Sequence, residues 1–274
     1  MTGLLSAHSV TSLDVVHHAD WRVLLAALPA QSVDLTITDT PYGTTACSWD
    51  TVIDLAHWWR EMRRGMKPRG AVVMTASQPY TSVLVMSNLD WFRYDWVWRK
   101  NTSTRFLDAA WRPLLQHESV LVFAAGRMHY DPQKTAGSVN HTRRAAAGEK
   151  SDVYAGAYSI TESDLSGLKY PTTVLDFDRV PPSEYRHPTQ KPVALFEYLI
   201  RTYTHEGDMV LDPFCGSGTT AVAARNTLRR YICGDISAEY VAIARDRVRV
   251  EPFAPMRGDD DVSDLPLFAA QEAA

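Results

Sequence analysis

The chain is poor in cysteine, has no long apolar run and carries no excess of basic residues. Its three cysteines, Cys47, Cys215 and Cys233, are odd in number and widely separated. That excludes a disulfide framework and fits a reducing, cytoplasmic setting. No Cys/His spacing suits zinc, so no metal is expected, and His17-His18 reads as strand surface. No apolar stretch approaches the roughly 20 residues that a membrane-spanning helix needs. No basic flank leads into an apolar run near Met1, so no secretory leader is expected. Internal repeats are missing as well. The net charge of −4, taken alone, argues against a polyanionic partner.

What is present changes that first impression. A length of 274 residues with 45% hydrophobic composition suits one large α/β domain. Charge is unevenly distributed: Arg93 to Lys150 holds ten Lys/Arg against five Asp/Glu, while Glu251 to Ala274 holds six acidic residues against one Arg. The middle is therefore a candidate phosphate-facing surface and the tail supplies compensating charge.

Strand and helix patterns alternate at short intervals. Strands are expected at Leu13–His18, Val33–Asp39, Ala71–Met74, Trp91–Trp98, Leu114–Phe123, Met209–Asp212 and Arg229–Asp235. Helices are expected at Trp21–Leu28, Ile53–Met66, Gln78–Asn88, Val193–Tyr203, Thr219–Leu228 and Ala238–Val250. This alternation implies a mostly parallel sheet with right-handed crossovers. Residues 125–180 are rich in Gly, Ser, Thr, Ala and charge with little periodicity, which marks an insert. Residues 251–274 are acidic and Pro-containing and are expected to be disordered.

The organising stretch is Thr38-Asp39-Thr40-Pro41-Tyr42-Gly43, at the end of an apolar strand. In an open α/β sheet, ligands bind beyond the carboxyl ends of strands. There Asp39 offers a hydrogen-bond acceptor, Pro41 a rigid carbonyl and Tyr42 a flat face. Together they suit a planar molecule bearing an NH2 group, such as adenine or cytosine, although a plain strand-and-turn would use the same residues.

A second segment, Leu211-Asp212-Pro213-Phe214-Cys215-Gly216-Ser217-Gly218-Thr219-Thr220, is a Gly-rich loop opening a helix. Glycines there let the backbone approach a ligand. Asp235, at the end of the next strand, is placed for ribose hydroxyls. Alone, Gly216-x-Gly218-x-x-Ala221 also satisfies a dinucleotide fingerprint, so an NAD-dependent oxidoreductase is a rival. It assigns no role to Asp39–Tyr42, nor to the loop His187-Pro188-Thr189-Gln190-Lys191-Pro192.

Taken together, the three segments resemble the β class of DNA amino-methyltransferases. Asp39-Thr40-Pro41-Tyr42 looks like their D-P-P-Y motif, with Thr40 departing from the usual Pro. The likeness spans about residues 13–250. It implies a Rossmann-like S-adenosylmethionine-dependent methyltransferase fold: a seven-stranded mixed sheet with one antiparallel strand. The fold would be circularly permuted, because the catalytic motif precedes the cofactor motif. It implies a methyltransferase domain over 1–250, with 125–180 as the target-recognition insert, and restriction-modification as the setting.

By the same resemblance Asp39, Pro41 and Tyr42 are catalytic. The Asp39 carboxylate and the Pro41 carbonyl would accept the amine protons, and Tyr42 would stack on a flipped base. Asp20 would contact the adenine of S-adenosylmethionine and Thr189, Gln190 and Lys191 its methionine end. Asp212, Phe214, Cys215, Gly216, Gly218, Thr219 and Asp235 complete the cofactor set. Double-stranded DNA is the expected partner, with Lys100, Arg105, Arg112, Lys134, Arg143 and Arg144 as candidate contacts and Tyr130, Tyr154 and Tyr158 as stacking or wedging rings. The initial Asp favours N6 of adenine; N4 of cytosine is the alternative, and an inactive DNA-binding homologue a further one. Carbon-5 cytosine chemistry needs a cysteine nucleophile, usually after proline, and none of the three follows one. In the tail, Asp264-Leu265-Pro266-Leu267-Phe268 resembles sliding-clamp peptides, with contact through Leu265, Leu267 and Phe268, though Asp stands where Gln is usual. A second copy of the chain is a further candidate partner.

Overall fold

The computed structural model describes residues 12–43, 51–137, 167–186 and 190–250. These form β1 (Val15–His18), α1 (Trp21–Ala27), β2 (Val33–Thr38), α2 (Leu55–Gly65), β3 (Met66–Ala76), α3 (Tyr80–Ser87), β4 (Phe92–Thr104) and β5 (Leu115–Phe123). There follow β6 (Thr135–Ala136), β7 (Leu168–Lys169), β8 (Val174–Asp176), α4 (Val193–Tyr203), β9 (Met209–Asp212), α5 (Thr219–Asn226), β10 (Arg230–Asp235) and α6 (Ala238–Val250). The chain divides into two compact units. One holds the described residues up to Asp131 and from Thr173 on; the other lies between Pro132 and Thr172. In the second, β6 and β7 pair antiparallel and Lys134 Nζ sits 4.4 Å from the Tyr170 ring centre.

The sheet of the first unit has the order β1-β10-β9-β2-β3-β5-β4-β8. Every pairing is parallel except those of β5, which runs against both β3 and β4. The expected single antiparallel strand is thus β5, but the described sheet has eight strands instead of seven. The eighth, β8, has three residues, too few to show an alternation in sequence. It is held by Leu175, 5% exposed, and by a two-pronged ion pair from Arg99 to Asp176 at 2.6 and 2.8 Å.

Alternating side chains split the core into two layers, as a period of two demands. Val73, Val122, Val210 and Cys233 face α4, α5 and α6 on one side. Val72, Met74, Leu121, Phe123, Leu211 and Ile232 face α1, α2 and α3 on the other. Between the parallel strands β9 and β2 the direction of winding reverses: β9 leads outward to β10 on one side, and β2 outward to β3 on the other. Such a switch point opens a crevice at the carboxyl ends of the strands. None of the described helices is long and apolar enough to cross a membrane.

Two strands are longer than their sequences suggest. Lys67-Pro68-Arg69-Gly70, which lies between the expected helix Ile53–Met66 and the expected strand Ala71–Met74, belongs to β3, where the ladder to β2 shifts between Val33 and Leu35. Lys67 Nζ pairs with Asp34 at 2.7 Å, and a Cβ at Gly70 would stand 2.9 Å from the Asp34 carbonyl, so only glycine fits there. β4 runs on from Trp98 to Thr104 through polar residues that read as loop.

Candidate active site

β2 and β9 are neighbours, with Leu35 opposite Val210 and Thr36 opposite Leu211. The two motifs that end these strands therefore emerge side by side. Thr38 Oγ1 donates to Asp212 Oδ1 at 2.7 Å, Thr220 Oγ1 donates to Oδ2, and the Phe214 N–H to Oδ1 at 3.0 Å. Asp212, only 2% exposed, thus knots the end of β2 to the Gly loop and the start of α5. Burial pushes its carboxyl up to about 7, against the pull of those three donors.

One cavity of about 850 Å3 runs along this edge, lined by Asp20, Asp39, Pro41, Tyr42, Lys191 and Asp235 among others. Its volume suits a nucleotide-sized ligand. At one end Asp235 accepts from the Gly216 N–H at 2.9 Å and the Ser237 N–H at 2.8 Å. These bonds fix the carboxylate beside the exposed side chain of Ile236, which also lines the cavity. A held carboxylate next to an apolar wall fits a nucleoside. Asp20 caps α1 through the Arg22 N–H at 2.8 Å and pairs with the Arg22 guanidinium at 3.1 Å. Phe214 packs against Trp21 and Trp58, each ring pair 6.0 Å apart.

At the other end Asp39 Oδ1 accepts from Tyr42 Oη and Thr75 Oγ1, and Oδ2 receives Lys191 Nζ at 2.5 Å. Lys191 Nζ also lies 3.4 Å from Glu118 Oε2, and Lys100 Nζ pairs with Glu118 Oε1. The result is a buried row of alternating charge, Lys100, Glu118, Lys191, Asp39. Burial alone would lower the Lys191 pKa, but Asp39 and Glu118 more than offset it and hold it above the usual lysine value. Burial likewise raises Glu118, and Lys191 and Lys100 bring it below the usual carboxylate range. Burial, then the Asp39 charge, pushes the Tyr42 phenol well up. Tyr80 stacks on Tyr42 at 5.4 Å, and Thr40 Oγ1 lies 3.2 Å from Tyr80 Oη. Thr40 therefore has a hydroxyl partner that a proline could not use.

Several expected residues sit differently from their sequence-based roles. Lys191, expected at the cofactor, stands on Asp39. Lys100, expected on phosphate, is 6% exposed and paired with Glu118, because its position continues the inward-facing row of Trp96 and Trp98. Gly218 (φ +84°) makes room for a helix: a Cβ there would stand 2.6 Å from the Ala244 Cβ of α6. Cys215 is buried beside Cys233, whose thiol, with burial, raises its pKa. Thr219 Oγ1 donates to the Lys191 carbonyl at 3.2 Å, and Gln190 Oε1 accepts from the Arg186 N–H at 2.9 Å. Tyr130 lies 6.3 Å from Tyr203. That is the far end of α4 from Lys191, roughly 16 Å along a helix of this length. Arg105 lines the cavity, and Arg112 is exposed and paired with Asp108. Cys47, Arg143, Arg144, Tyr154, Tyr158, Thr189, Leu265, Leu267 and Phe268 lie outside the described residues.

Thr38, Thr75, Tyr80 and Glu118 received no site role from the sequence. Glu118 carried a signal: it shares the inward parity of Val120 and Val122, where an apolar residue is the rule.

Residues 33–246 match the family model of the DNA methylases. The chain is 30% identical over 247 residues to the Type II methyltransferase M.HpaI of Haemophilus parainfluenzae, covering 83% of itself and 71% of that protein. It is 29% identical over 251 residues to the DNA adenine methyltransferase YhdJ of Escherichia coli K12, covering 85% and 82%. Among solved structures, the M1.HpyAVI–SAM complex superposes with a TM-score of 0.60 at 23% identity, over 86% of this chain and 99% of that one. The cytosine-N4-specific PvuII DNA methyltransferase follows with 0.58 at 19%, over 85% of each. These two likenesses concern the fold. A family model that covers most of the chain and a relative matched along most of both lengths establish membership: the chain belongs to the DNA methylase family N6_N4_Mtase.

Proposed function

We propose that the protein transfers a methyl group from S-adenosylmethionine to the exocyclic amine of a base extruded from double-stranded DNA, N6 of adenine within a specific sequence. The observation that supports this most directly is the single cavity lined by both Asp39-Thr40-Pro41-Tyr42 and the Gly loop with Asp235. S-adenosylmethionine supplies the electrophilic methyl. Asp235 would hold its ribose hydroxyls, and Phe214 and Ile236 would flank its ring.

The amine of adenine is a weak nucleophile because its lone pair is delocalised into the ring. Asp39 and the Pro41 carbonyl accept hydrogen bonds from its two N–H groups and turn the lone pair out of the ring plane, while the cavity fixes the approach. Tyr42 and Thr75 hold Asp39 Oδ1, so Oδ2 is the oxygen that meets the amine. Lys191 stands on that oxygen; it gives way towards Glu118 Oε2, 3.4 Å distant, when the amine arrives. Tyr42 offers one ring face to the base, its other face being backed by Tyr80.

Methylation of N4 of cytosine is the second reading, favoured by the fold likeness to the PvuII enzyme. Single-molecule sequencing of DNA from cells expressing the protein decides between them. N6-methyladenine at one sequence motif is expected; N4-methylcytosine would replace the first reading with the second, and unmodified DNA would overturn both.

A further inference from the structure

Between β4 and β5 the chain leaves the sheet at Thr104 and rejoins it opposite, at Leu115. Thr104, Arg105 and Leu115 line the cavity, so the intervening loop rises from its rim. This loop carries the three most exposed large apolar side chains among the described residues: Trp111 at 87%, Leu107 at 82% and Phe106 at 76%. Scattered apolar residues on a surface are ordinary, but a cluster at the mouth of a binding cavity marks an interaction site.

The loop is braced. The Asp108 carbonyl accepts the N–H groups of Trp111 at 2.9 Å and Arg112 at 3.1 Å, and the Arg112 side chain pairs with the Asp108 carboxylate. The rings are thus presented on a folded turn. Behind them, Arg105 has no carboxylate partner among the described residues. Arg179 donates to Tyr185 Oη at 2.8 Å and to Thr102 Oγ1 at 3.4 Å, and it too has no carboxylate partner among the described residues. An apolar tip backed by uncompensated guanidiniums fits a polyanion with an apolar interior, which is a stacked duplex. A second copy of the chain would set these like charges against each other.

We propose that the loop from Phe106 to Trp111 is a wedge that enters the duplex where the target base leaves it, its rings filling the vacancy in the stack. Extrusion costs unpairing and unstacking, and an inserted side chain offsets part of that cost. The inference rests on the DNA-methylating reading above.

The test uses the full chain with Phe106→Ala, Leu107→Ala and Trp111→Ala combined, and a duplex carrying the motif found by sequencing. A 2-aminopurine at the target position reports extrusion by its fluorescence. The variant is expected to lose about tenfold in extrusion and in duplex methylation, the scale of one lost base–aromatic stack. S-adenosylmethionine affinity should be unchanged, and a duplex in which the target faces an abasic site should restore methylation, because its base is already unpaired. Wild-type extrusion and methylation by the variant would overturn the wedge while leaving the methylating reading intact. A variant that changes from dimer to monomer in sedimentation, with duplex methylation unaltered, would overturn it in favour of a second copy. If the wild type methylates no DNA, the underlying reading fails and the wedge with it.

Discussion

Asp39 and Asp212 stand at the ends of adjacent strands and have opposite surroundings. Asp39 is met by an ammonium and two hydroxyls, and Asp212 by hydroxyls and one N–H with no cation among the described residues. Asp39→Ala should lower methyl transfer by about a thousandfold, within the range for losing a group that handles the reacting protons. Calorimetry should show S-adenosylmethionine binding little changed. Asp212 keeps its proton in the folded protein up to about pH 7, whereas an unfolded chain releases it near 4. Its contribution to stability is therefore full below about pH 4 and is lost as pH rises to about 7. Asp212→Asn should remove that decline, so thermal unfolding between pH 5 and 8 should show the variant gaining on the wild type as pH rises.

At the scale of elements, the contact of α5 with α6 depends on one missing methyl group. Gly218 has a positive φ and lies against Ala244, so an alanine there meets backbone strain and a clash together. Gly218→Ala should cost about 3 kcal/mol in urea unfolding, the scale of overpacking with an unfavourable φ. The signal for glycine was visible in the sequence, but its cause was read as ligand approach, because nothing local tells which helix a residue will meet. Extensions of β3 and β4 were hidden for a related reason. Their lysines are paired with carboxylates distant in the chain, the half-exposed Lys67 with Asp34 and the buried Lys100 with Glu118.

Across the whole molecule, the row Lys100, Glu118, Lys191, Asp39 ties β4, β5, the segment before α4 and the end of β2 into one wall of the cavity. Glu118→Gln would leave two buried ammonium groups short of a counter-charge. It should destabilise the protein by about 3 kcal/mol, as broken buried pairs do. Lys100→Met combined with it should recover part of that loss in denaturant unfolding. Sequence alone determined the alternation of strands and helices, the mostly parallel sheet and the two motifs, because hydrophobic period and short-range residue chemistry are local properties. The placement of those motifs in one crevice was implied by family resemblance; pairing of β2 with β9 is what brings it about. Only the tertiary structure decided that Lys191 and Glu118 serve Asp39, that Lys100 lies inside and that Trp111 lies outside. Burial and ion pairing are relations between residues far apart in the chain, and they exist only once the sheet has closed around them.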